Sequence, residues 1–304
     1  MILRQHRWAP WAAVALVATA AVVTVCGLWW QGGGRSGGGT GWYASRLLRF
    51  SQEHGGTLLA LLPLALGAFV AGPLIARELE SGTYKLAWTQ SVSPARWLAV
   101  KLALPLVVTA LATSALVGLF RLGRTALQRD PYGVPESWYG RGTYEALGPA
   151  VVGYAVLGVA LGALIGLLVR RTAPAMGATA CAVGCVLLTL GSVRAHLWPP
   201  LTVAGPADMT VNMRVDGPGV WELAAGWRTA SGDVLDPETC FRRVEETAQT
   251  YQACMTSRGA TERFADFHPQ SHFWPLQLVE TGILLALAAL AGWLAFRVLR
   301  RIHG

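Results

Sequence analysis

The sequence predicts an all-α membrane protein with six transmembrane helices. Hydrophobic residues fill 53% of its 304 positions and charged residues only 14%, where a soluble domain carries about 25% charged residues. Six apolar runs, each near the roughly 20 residues that cross a bilayer's hydrocarbon, alternate with polar, turn-rich segments. Between the second and third runs lies a charged island, Ala76 to Lys101, holding Arg77, Glu78, Glu80, Lys85, Arg96 and Lys101. Each of these charges would cost about 2.5–3.5 kcal/mol at the bilayer centre. The island therefore sits in water.

The first run, Ala9 to Trp30, follows a basic start (Arg4, Arg7) and has Trp8, Trp11, Trp29 and Trp30 at its edges, as interfacial aromatic belts do. It is longer than a signal-peptide core and lacks a small-residue cleavage site at its exit, so it reads as a retained helix. Gln31 to Gly56 reads as a loop: its GGGRSGGGTG opening has a linker's composition, and Trp42 to Phe50 could form a short interfacial helix. Thr57 to Ala76 is the second span, interrupted by Pro63, Gly67, Gly72 and Pro73. Such interruptions are either plain kinks re-satisfied by neighbours or a moving hinge. Trp97 to Phe120 is the third span and Gly148 to Val169 the fourth. Gly153, Gly158, Gly162 and Gly166 recur along the fourth at helical spacing. This small-residue stripe suits close helix packing, within the bundle or between subunits. Ala175 to Val193 is the fifth span and Pro275 to Phe296 the sixth, with a polar insertion at 197–274 between them.

Orientation follows from the basic residues. With six spans, both termini share a side with the island and with the turn at Arg170-Arg171. That side holds 11 basic and 2 acidic residues, against 14 of each on the much longer opposite side. Short loops rich in Lys and Arg stay in the cytoplasm. The termini and island are expected there, and 197–274 outside. The formal charge of +8 thus bears on topology; no nucleic-acid partner is implied.

The island has internal order. Glu78 and Glu80 precede a break at Gly82; TYKLAWTQ then offers a short amphipathic helix; Ser93 and Pro94 restart a helix as N-cap and first-turn proline. Helix, elbow, surface helix and cap make a stiff protrusion. The RELESGT run from Arg77 to Thr83, with Ser93-Pro94, Arg96 and Lys101, resembles the first cytoplasmic loop of ABC-2-type transporter permeases. RRTAPAMGAT from Arg170 and FWPLQLVETG from Phe273 resemble actinobacterial members of that group. The resemblance implies the membrane subunit of an ABC transporter, most of whose relatives are exporters, in the plasma membrane. It implies a second permease subunit, as homo- or heterodimer, and a separate ATPase subunit that docks on the loop through Arg77, Glu78, Glu80, Gly82, Thr83, Ser93, Pro94 and Arg96. The chain carries no GxxxxGK[ST] motif and only two lysines, Lys85 and Lys101. ATP would bind the partner, and this chain is expected to be no enzyme and to hold no cofactor. A membrane-anchored sensor using 197–274, or an ion-gradient-driven carrier, are the rival readings.

No metal site is expected. His268 and His272 are interrupted by Pro269, and Cys181 and Cys185 lack further ligands. Glu280 is the one carboxylate inside a predicted span. It reads as a wetted group near the outer edge, paired with Arg194 or His196, or as an exit-side gate. Cys240 and Cys254 present two incompatible readings. One helix from 237 to 256 would hold their Cα atoms about 21 Å apart, whereas a disulfide needs about 7 Å or less. An oxidising exterior favours the bridge.

Overall fold

The chain is described by a computed structural model covering residues 8–32, 39–84, 93–128, 137–207, 219–236, 238–241 and 248–303. It divides into two compact units, one made of residues 1–135, 140–193 and 277–304, the other of 136–139 and 194–276. In chain order the first holds α1 (Trp8–Gly32), α2 (Gly39–Leu66), a π-helical turn (Gly67–Ala71), α3 (Gly72–Ser81), α4 (Pro94–Leu127), α5 (Thr143–Leu147), α6 (Ala150–Val169) and α7 (Thr172–Val193). Among the described residues, five helical segments are long and apolar enough to cross a membrane: Arg46–Ser81, Pro94–Leu127, Ala150–Val169, Thr172–His196 and Gln270–Arg301. α1 is apolar over the shorter stretch Val14–Trp29.

The second helix departs from the sequence reading. Residues 39–56 are not a loop but the first turns of α2, which continues through the π-turn and α3 to Ser81. Gly56 lies inside the helix and serves close approach: a Cβ there would stand 3.1 Å from the Gly142 carbonyl carbon. Helical continuity costs Pro73 its hydrogen bond, since proline lacks an N–H and its ring crowds the carbonyl four residues back. The π-turn absorbs this. Gly72 N–H bonds to Gly67 O, five residues earlier, widening the helix just ahead of the proline.

α6 is the hub. It is apolar on every side, as a helix surrounded by other helices should be, and 67% of its apolar window is buried, against 17% for α7. Its glycine stripe packs inside the bundle. Cβ atoms at Gly158, Gly162 and Gly166 would meet Pro63 O at 2.9 Å, Ala71 Cβ at 2.6 Å and Ala76 N at 3.2 Å. Below this stripe Ile75, Trp97, Leu98, Leu102, Leu167 and Leu299 form one core; Tyr154, Leu157, Leu190 and Leu284 anchor another.

The second unit overturns the all-α expectation. Four antiparallel strands, β1 (Leu201–Pro206), β2 (Val220–Thr229), β3 (Val234–Leu235) and β4 (Ala260–Pro269), form a sheet in the order β1-β4-β2-β3. Two short helices, α8 (Glu238–Phe241) and α9 (Ala248–Ser257), precede β4. Asp236 Oδ1 accepts from Glu238 N at 2.9 Å and starts α8. Cys240 and Cys254 are joined by a disulfide with Cα atoms 6.0 Å apart, so a single straight helix from 237 to 256 is excluded. The bridge packs with Trp227, Met255 and Ala260. Closing this loop contributes on the order of 3 kcal/mol in the chain-entropy account. α10 (Phe273–His303) closes the chain, and from Gln277 onward it belongs to the helical unit.

Candidate functional site

The elbow between α3 and α4 is assembled by signals that stand in the sequence. α3 stops because Gly82 takes a left-handed conformation (φ 71°), which glycine adopts without the Cβ penalty. Ser81 Oγ and Thr83 Oγ1, 3.0 Å apart, share a hydrogen bond beside it. α4 starts at Ser93, whose Oγ accepts from Arg96 N at 3.4 Å, with Pro94 in the first turn. Most of the TYKLAWTQ segment, from Lys85 onward, lies outside the described residues.

The eight residues expected to form one docking face divide into three groups, of which Gly82, Ser93 and Pro94 shape the elbow itself. Glu78 is turned inward and pairs with Lys101 on α4, both side chains largely buried, with the Lys101 ammonium 5.6 Å from the Trp97 ring centre. Glu80 reaches the start of α7: its Oε2 accepts from Thr172 N at 2.8 Å and from Thr172 Oγ1 at 2.5 Å. Arg77, Thr83 and Arg96 are exposed. A groove of about 430 Å³ lies here, lined by Pro73, Arg77, Glu80, Ser81, Thr172 and Met176. Sequence reasoning missed Thr172 and left Lys101 without a partner. One signal was present: the residue before α7 is Arg171, whose guanidinium only donates, so the helix must find its N-terminal acceptor elsewhere.

Among the residues singled out as an exit-side gate, Glu280 is buried, not wetted. It accepts a hydrogen bond from Tyr154 OH at 2.7 Å, joining α10 to α6. Arg194 and His196 lie in a 3-10 turn of the second unit, Arg194 buried and His196 exposed. One turn before Glu280, the buried Gln277 accepts from Ala150 N at 3.0 Å and donates to Tyr144 O at 2.7 Å. That amide bonds the two backbone groups across the α5–α6 break, a role with no signal in the sequence. In the second unit His268 and His272 meet despite Pro269. The buried His268 faces the Ala195 carbonyl through Nε2 at 2.9 Å, so Nε2 donates, and its Nδ1 lies 2.9 Å from His272 Nδ1. Among the described residues no cluster of three or more His, Cys, Asp or Glu could hold a metal ion.

The sequence profile of the ABC-2 membrane transporter related family matches residues 43–194, half of the chain, from α2 through α7 and including the elbow. The chain belongs to this family. Comparison with curated proteins and with solved structures returns no match. The apolar helices and the family together make it a multi-pass membrane protein, and ABC-2 membrane proteins generally work with an ATPase subunit. The profile's span includes both carboxylates of the elbow and both of their partners, Lys101 and Thr172.

Proposed function

We propose that the chain is the permease subunit of an ATP-driven exporter in the plasma membrane, working as a pair with ATPase subunits supplied by another polypeptide. The observation that carries this reading is the elbow: a helix stopped at Gly82 and restarted at Ser93, its two arms joined by Glu78–Lys101 and the first arm tied to α7, in a chain of the ABC-2 membrane transporter related family. A push on α3 would reach both α4 and α7. The ATPase would meet the elbow's exposed groups, Arg77, Thr83 and Arg96, since Glu78 and Glu80 are engaged within the chain. ATP closure would shift the elbow, and alternating access would follow from the movement of α3, α4 and α7. Affinity purification of the tagged chain from its native membranes tests this. A stoichiometric subunit with vanadate-sensitive ATP hydrolysis is expected; a chain isolated alone from gently solubilised membranes would count against it.

The reading includes six spans, α1 among them, with both termini and the elbow in the cytoplasm and the sheet unit outside. In a background with Cys26, Cys181 and Cys185 replaced by Ser, a cysteine at the exposed Ser231 should react with an impermeant thiol reagent in intact cells. One at the exposed Ser81 should react only after lysis. The opposite pattern would invert the topology. The disulfide-closed sheet also favours a second reading, a sensor that binds an external ligand, which would need no ATPase.

A further inference from the structure

We propose that Glu78 and Glu80 are positioning residues that hand the elbow's movement to two different helices, α4 and α7, rather than docking residues. This rests on the reading of the chain as an ATP-driven permease. The geometry begins with spacing. Two residues apart on an α-helix means about 200° of rotation, so the two carboxylates leave the last turn of α3 on opposite sides. One finds Lys101 on α4 and the other Thr172 at the head of α7. Two helices are thereby held by a single turn of α3.

The Glu80 contact is the more informative half. α7 is preceded by Arg171, which offers no acceptor, so its first N–H is capped by a carboxylate 92 residues away in sequence. A charged acceptor is well placed at a helix N-terminus, where the backbone leaves free N–H groups and a partial positive charge. The bond to Thr172 Oγ1 gives the carboxylate a second hold on the same residue. α7 is also the helix suited to move: it is far less buried than α6 and is joined to it by only Arg170 and Arg171. On the other side of the turn, the π-helical residues Gly67–Ala71 interrupt the α-helical ladder. Helix kinks are commonly sited at such turns. α3 thus starts at a π-turn packed against α6 and ends in a double grip.

The test uses the full chain with its co-purifying ATPase, with spin labels on Ala99→Cys, in the first turns of α4, and Gly177→Cys in the background lacking free cysteines. Both sites are exposed, and no atom lies within 4 Å of a Cβ at Gly177. In the parent protein the distance between labels should be sharply distributed and should stay so in the vanadate-trapped state, because α7 follows the elbow. Glu80→Ala should broaden that distribution, most of all in the vanadate-trapped state, while the ATPase is recovered at the parent ratio. Thr172→Val, which keeps the N–H but loses the hydroxyl, should give an intermediate loss, and Thr172→Ser should restore the parent behaviour. Loss of the ATPase on Glu80→Ala would make Glu80 a docking residue and overturn the proposal. So would an unchanged distance distribution in Glu80→Ala. If the parent chain brings no ATPase, the transporter reading fails by itself; the grip is then judged on the nucleotide-free chain, where the same broadening is required.

Discussion

Gly162→Ala is expected to be among the most damaging single methyl groups in the helical unit. The added Cβ would stand 2.6 Å from Ala71 Cβ and 2.8 Å from Gly72 N. The atoms it meets belong to short side chain and backbone, so no rotamer change can make room. α6 must move away from the π-turn, and the contacts at Gly158 and Gly166 open with it. Overpacking of a tight core costs about 1–3 kcal/mol and sometimes more; here the upper end is expected, because two backbones are forced apart. Gly118→Ala on α4 is the control: no atom lies within 4 Å of the new Cβ. There the substitution should be neutral or stabilise by about 0.5–1 kcal/mol through helix propensity. Unfolding midpoints in one detergent decide it. If the two variants lose or gain equally, the stripe is not a packing surface within this chain.

The same stripe shows what the sequence could and could not reveal. Long apolar runs declare themselves, because nothing soluble needs twenty such residues in a row. Their ends are harder to read. Gln31 to Gly56 reads as a loop from its glycine-rich opening, but Gly56 is small because the Gly142–Thr143 backbone crosses it, and the helix from Gly39 passes through uninterrupted. The sheet was hidden for another reason. β2 reads VWELAAGWRT, and its register against β4 slips between Glu222 and Ala224. A bulge shifts the two-residue alternation by one position, so the period that would betray a strand is broken midway. At the elbow, Gly82, Ser93 and Pro94 were legible because caps are local chemistry. The partners of Glu78 and Glu80 were not, since they stand 23 and 92 residues away in sequence and only the fold brings them near.

The second large effect should come from Lys101→Met. Its ammonium is the partner of Glu78, with side chains only 6% and 16% exposed. Removing one member of a largely buried pair strands the other charge, which typically costs about 3–5 kcal/mol. Glu78→Gln should cost less, because a lysine on a long stem can turn its ammonium toward water. The double variant Glu78→Gln/Lys101→Met is expected to recover much of the loss from Lys101→Met, since no charge is then buried alone. Replacing a buried pair by groups of similar volume is often close to neutral. Thermal unfolding of all four forms reads the coupling directly. A Lys101→Met loss within about 0.5 kcal/mol of the parent would place the pair among exposed salt bridges that contribute little. The α3–α4 half of the grip would then have no energetic basis.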